Sequence, residues 1–311
     1  MSEVVFIHGI ANQQTAGPKA ENDWVLALAG GLEIAGFQAI ADRLRKPIGV
    51  AGRIDARMAY YGDLFGRPGE KMGEGDDEPL SAEQEALSEA IALNWLQNAA
   101  EQAKDFNTRS DARDELIDLA GPAPGQEQMG ARALGRSAVT ALCRVPGVAH
   151  VGFAFVSLFV NQTLRQVTKY LTDDLIRETV QQRVAKLVTA DTRVIIGHSL
   201  GSVAAYEAAH RLDRPLLLLL TLGSPLGLPS IVFDRLRPPP SFPRQVLQWV
   251  NVADRNDLVA AVPNLAPLFC GAMPGEARFD NWAVDNEDDP HSAEHYLVKQ
   301  EVGEAMGAVL A

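Results

Sequence analysis

The sequence predicts an α/β protein built on a mostly parallel, doubly wound sheet that is interrupted by a helical insertion. Three observations predict it. Short, largely apolar runs at 4–7, 193–196, 216–222 and 246–252 have the length and composition of strands buried on both faces. Helix-period stretches alternate with those runs. The region from about 64 to 170 lacks strand signals and reads as helix and breaker.

Val4, Val5, Phe6 and Ile7 form the first strand, which His8-Gly9 ends. Asn22 is placed to cap a helix through Trp24, Leu26, Leu28 and Leu32, and Gly36 to terminate it. The run 54–61 reads as the next strand, which completes the opening of a doubly wound sheet. Residues 66–80 are rich in Gly, Glu, Asp and Pro and read as an exposed loop. Helix is expected over 81–120, with Leu87, Ile91, Trp95 and Leu96 on one face, and the Gly/Pro-rich stretch 121–128 breaks it.

The stretch 145–160 is nearly all apolar. It is shorter than the ~20 residues of a membrane-spanning helix and contains Pro146, Gly147, His150 and Gly152. A buried core helix is the first reading, with an acyl-chain-binding lid or membrane insertion as alternatives. Beyond it, 173–188 is amphipathic, with Leu175, Ile176, Val180, Val184 and Leu187 at helical spacing. An Ala-rich helix is expected at 202–212, another strand at 277–284, and helix from about Ala293. The organisation that results is a sheet core from 1–63 and 171–311, with a helical insertion at 64–170 as a candidate cap.

The formal net charge of −12 argues against nucleic acid as a partner. Contact with a membrane surface is left open. Cys143 and Cys270 are too few for a disulfide framework, and they form no metal-ligand spacing with the six histidines. No Gly-x-Gly-x-x-Gly and no P-loop occurs, so neither a cofactor nor a metal is expected. The start, Met-Ser-Glu followed directly by an apolar run, lacks the features of a secretory signal, which makes a cytoplasmic location the expectation.

The strongest chemical signal is Gly197-His198-Ser199-Leu200-Gly201, set between an apolar strand and an Ala-rich helix. A serine on a sharp strand-to-helix turn needs neighbours without bulk, and the helix aims its first N–H groups at the reaction centre. Serine is a weak nucleophile and requires a base with an acid behind it. In a nucleophile-elbow protein these follow in the order Ser, acid, His. His210 lies on the helix after the elbow and should face away. His291 and His295 follow the last candidate strand; His291 is favoured on reach. Asp254 and Asp257 compete for the acid, and Asp257 precedes an apolar residue that can seat it in the core. The oxyanion donors are expected at the backbone N–H of Leu200 and of Ile10. His8 and Ser224 read as structural residues at the same strand edge.

Together, Val5-Phe6-Ile7-His8-Gly9-Ile10, Gly197-His198-Ser199-Leu200-Gly201-Ser202, Leu222-Gly223-Ser224-Pro225, Asn256-Asp257-Leu258-Val259 and His291 resemble the lipase and serine-esterase branch of the α/β-hydrolase superfamily. The phrase Asn-Asp-Leu-Val is similar to the acid loop of class 3 lipases, which places the acid at Asp257. The opening His-Gly-Ile is similar to that of GPI inositol-deacylase-type esterases. The resemblance covers 1–62 and about 173–311. It implies hydrolysis of a small-molecule or lipid-like ester through an acyl-enzyme, and a sheet lacking the first two strands of that fold. Two features depart from the pattern: the insertion precedes the nucleophile strand, and it matches no known cap. Acyl transfer, thioester or amide cleavage by the same residues, and a non-catalytic binding module, are the alternatives.

Overall fold

The computed structural model describes residues 2–9, 16–65, 79–121, 137–145, 153–260 and 262–311; for 153–159 and 272 it describes the backbone alone. Six strands form one parallel sheet in the order β2-β1-β3-β4-β5-β6. They are β1 (Val4–Ile7), β2 (Ala56–Met58), β3 (Val194–His198), β4 (Leu216–Leu222), β5 (Val246–Asp254) and β6 (Arg278–Val284). The chain leaves β1 for β2 on one side, returns to β3 on the other, and then proceeds outward to β6. The connections therefore reverse direction between β1 and β3, the switch point at which open α/β sheets place their ligand sites outside the carboxyl ends of the strands.

The central strands are buried along their length because helices cover both faces. One face carries Val4, Phe6, Val194, Ile196, Leu218, Leu220, Val250 and Val252. These pack with α1 (Gly17–Ile34), α2 (Gln38–Arg45), α10 (Ala293–Leu297) and α11 (Gln300–Leu310). Helices α7 (Asp174–Leu187) and α8 (Leu200–His210) contact β1, β3 and β4 and stand outside that cluster, so they cover the opposite face. Edge strand β2 is short, and Arg57 pairs with Asp55 at 2.9 Å and Glu21 at 3.5 Å beside it. A short, charged edge resists pairing with a second sheet.

Several elements differ from expectation for identifiable reasons. Helix α1 begins at Gly17, not Asn22, because Pro18 presets the first helical turn. Gly36, at φ 87°, lies just past its end. Strand β2 covers only Ala56–Met58, since beyond it the chain turns and Tyr61 N–H donates to the side chain of His8. On α7 the predicted Leu175 is exposed, and the buried stripe is Arg177, Val180, Gln181 and Val184. Arg177 is buried because Glu207, also buried, lies 3.7 Å away on α8, while Gln181 donates to Ala204 O at 3.1 Å. The amphipathic period was right, but Leu175 does not belong to its buried face and Arg177 and Gln181 do.

By internal contacts the chain divides into two compact units, Met1–Glu70 with Asp173–Ala311, and Lys71–Thr172. The second contains α3 (Ala82–Gln102), α4 (Phe106–Ala120), α5 (Ala138–Leu142) and α6 (Phe153–Thr172). Ser81 and Gln84 form a reciprocal capping box on α3, and Leu87, Ile91, Trp95 and Leu96 are buried together. Of the apolar stretch 145–160, residues 146–152 lie outside the described residues and 153–160 open α6; most of the breaker at 121–128 also lies outside them. No helix among the described residues is long and apolar enough to cross a membrane.

Candidate active site

Ser199 is the residue between β3 and α8, at φ 54° and ψ −129°. Such a backbone costs a non-glycine residue about 1–3 kcal/mol and persists only where the surroundings enforce it. Here they do. Ser199 N–H donates to Leu222 O at 3.0 Å, and Ser199 O accepts from Ser202 N–H at 2.9 Å and from Ser202 Oγ at 2.6 Å. The helix behind the serine is enclosed, with Leu200 through Ala209 all buried. Gly201 is required by contact. A Cβ there would lie 2.1 Å from Ile7 O and 2.4 Å from His8 O, so α8 rests directly on the end of β1. Gly9 is required similarly, since a Cβ would meet that of Ser199 at 2.7 Å.

The end of β1 is held by His8. Its Nε2 accepts from Tyr61 N–H at 3.0 Å, which leaves Nδ1 as the protonated nitrogen, donating to Gly9 O at 2.6 Å. The ring stacks on Tyr61 with centroids 4.1 Å apart. Burial, the largest influence, lowers its pKa to about 4. His8 is therefore a neutral structural residue that shapes the Gly9 backbone. Ile10, the other expected oxyanion donor, lies outside the described residues. Leu200 is fully buried as the first residue of α8, where a helix presents N–H groups without intrahelical partners.

The carboxyl ends of β5 and β6 supply two loops. In the first, Asp257 is fully buried; its Oδ1 accepts from Val259 N–H at 2.9 Å and Ala260 N–H at 3.3 Å. In the second, His291 places Nδ1 2.9 and 2.8 Å from Asp257 Oδ1 and Oδ2. Burial alone would raise the Asp257 pKa, but the facing His291 and the Tyr296 hydroxyl outweigh it and hold the carboxyl below its ordinary value. The other nitrogen of the base, His291 Nε2, is buried and has no hydrogen-bond partner among the described residues. The His291 ring lies 4.6 Å from the ring of His198, the residue bonded to Ser199. His198 is itself kept neutral, with burial first and the neighbouring His291 second lowering it to about 3.

The competing residues have other partners. Asp254 Oδ1 accepts from Asn256 N–H at 2.7 Å, and Asp254 Oδ2 from Asn286 N–H at 2.5 Å, which joins the acid loop to the histidine loop. His295 Nδ1 donates to Asn286 O at 3.0 Å. His210 lies 3.3 Å from Ser241 O, at the far end of α8 from the serine. Ser224 bonds Ser202 Oγ at 2.7 Å and braces the turn from β4. Among the described residues no cluster of His, Cys, Asp or Glu could hold a metal ion.

Sequence reasoning missed Tyr296, whose hydroxyl donates to Asp257 Oδ2 at 2.8 Å, and Asn286, which bridges the two loops. A buried tyrosine must find a partner for its hydroxyl, but spacing does not say which. No protein-family model, curated protein or solved structure matches the chain.

Proposed function

We propose that the protein is a serine hydrolase of the α/β-hydrolase type that cleaves a carboxylic ester through an acyl-enzyme on Ser199. The observation that carries this reading is the Asp257–His291 pair. It uses one imidazole nitrogen and leaves Nε2 without a hydrogen-bond partner among the described residues, beside the residue that precedes a strained serine.

In this mechanism His291 Nε2 takes the proton of Ser199 Oγ as the oxygen attacks the ester carbonyl. Asp257 holds the imidazole in the required tautomer and stabilises the imidazolium. The backbone N–H groups of Leu200 and Ile10 receive the oxyanion. His291 then passes its proton to the departing alcohol, and a water activated by the same nitrogen releases the acid. Ser199, Asp257 and His291 lie in the segments that follow the carboxyl ends of β3, β5 and β6, the side on which such sheets place their ligands.

A fluorophosphonate probe tests the reading, because it traps only an activated serine. The wild type should label at one site, and Ser199→Ala should lose both labelling and ester turnover while it keeps its thermal unfolding midpoint. Labelling that survives Ser199→Ala defeats the assignment.

A further inference from the structure

Tyr296 is completely buried on α10, the short helix that follows His291. Its hydroxyl makes two hydrogen bonds whose directions are fixed by chemistry. Asp254 N–H can only donate, so it donates to Tyr296 Oη at 2.8 Å. The hydroxyl proton is then committed to Asp257 Oδ2 at 2.8 Å. The two carboxylate oxygens are thus held differently. Oδ1 takes the backbone N–H groups of Val259 and Ala260, whereas Oδ2 takes Tyr296, and both face His291 Nδ1. A second tie supports the same geometry: Asn286 Nδ2 donates to Pro290 O at 3.0 Å, just before His291.

Resting on the hydrolase reading, we infer that Tyr296 is a positioning residue for the acid–base pair. Its hydroxyl, oriented by Asp254 N–H, fixes the rotation of the Asp257 carboxylate and draws off part of its charge. The basicity of His291 is set accordingly. Burial and the adjacent Asp257 hold the phenol well above its ordinary pKa, so it remains a donor throughout the working range. Among the described residues, the titratable groups facing the pair are His198 from the end of β3, which stays neutral, Asp254 from the end of β5, and Tyr296 itself.

Removing the hydroxyl leaves more negative charge facing the imidazole, so the imidazolium is better stabilised and His291 titrates at a higher pH. The test compares wild type, Tyr296→Phe, Asp257→Asn and the double variant. The histidine nitrogens are isotopically labelled and followed by NMR across pH, and p-nitrophenyl butyrate hydrolysis is measured in parallel. In Tyr296→Phe the His291 midpoint should rise by about half a unit to one unit. The acidic limb of kcat/KM should move with it. The kcat should fall about tenfold with KM changed less than about twofold. In the Asp257→Asn background the Phe substitution should produce no further shift. An unchanged His291 midpoint in Tyr296→Phe, or an equal shift with Asn at 257, overturns the inference. Should Tyr296→Phe not fold, 3-fluorotyrosine at 296 keeps the ring and strengthens the donor, and the midpoint must then fall. The NMR titration needs no turnover, so it decides the role of Tyr296 even where ester hydrolysis by Ser199 is disproved.

Discussion

Two histidine-bearing loops follow the carboxyl ends of β1 and β6, and they differ in how many ring nitrogens are already occupied. In the loop after β1, His8 accepts from Tyr61 N–H and donates to Gly9 O, and it is buried against the Tyr61 ring. In the loop after β6, His291 engages Asp257 with Nδ1 and leaves Nε2 without a hydrogen-bond partner among the described residues. A histidine with both nitrogens satisfied has no site left for proton transfer and serves as a strut. One with a carboxylate behind it and an unsatisfied nitrogen in front is arranged for acid–base work. Residue type is shared and burial is not, since His8 is buried and His291 half-buried, but it is the second nitrogen that makes the difference.

The largest expected effect follows from that asymmetry. His291→Ala should lower ester turnover by roughly 10⁴-fold, and His295→Ala, whose ring only braces Asn286 O, by less than about threefold. Steady-state kinetics on the two variants would reverse the contrast if His295 were the stronger.

The next effect belongs to stability. Burial lowers His8 from its ordinary 6.5 to about 4. Above 6.5 the histidine is neutral in both folded and unfolded chains, and its burial costs nothing in proton linkage. As pH falls from 6.5 towards 4, only the unfolded chain takes the proton, and the fold loses up to about 3 kcal/mol. His198, lowered to about 3, adds a loss of the same sign in the same window. Urea unfolding across that range should show the fall in wild type and a clearly shallower one in His8→Gln. Equal slopes would mean that His8 is not held neutral.

The smallest effect concerns the strut itself. The Tyr61 hydroxyl donates to His8 O at 2.5 Å inside the core, and Tyr61→Phe leaves that carbonyl unsatisfied. A loss of about 1–2 kcal/mol is expected, with fluorophosphonate labelling within about threefold of wild type. A larger fall in labelling would show that the β1 loop tunes reactivity as well as supporting the backbone.

How much of this was legible depended on whether the signal was local. The run at 216–222 became β4 with the same bounds, because a run of six leucines and one threonine can be buried only on a covered central strand. The turn at Ser199 was legible because strand, glycines, serine and helix are contiguous. Helix α2 went unread, since its eight residues carry only Ile40, Ala41 and Leu44 as buried anchors. The burial of Arg177 on α7 was not read, because its partner, Glu207, is on a different helix. Within the candidate site, the sequence placed Asp254 beside Asp257 and His291 beside His295 and could rank them only by reach and resemblance.

By itself, then, the sequence determined the α/β class, the strand-borne Ser199 and a short roster of acids and bases, because apolar periodicity and glycine placement are properties of neighbouring residues. The tertiary structure decided which of them meet. Parallel pairing of β5 with β6 brings the loop of Asp257 against the loop of His291, across 34 positions of chain, while Asp254 and His295 are turned to bonds with Asn286. It also recruited Tyr296, whose buried hydroxyl takes its partners from strand register and helix packing rather than from any neighbour in the chain.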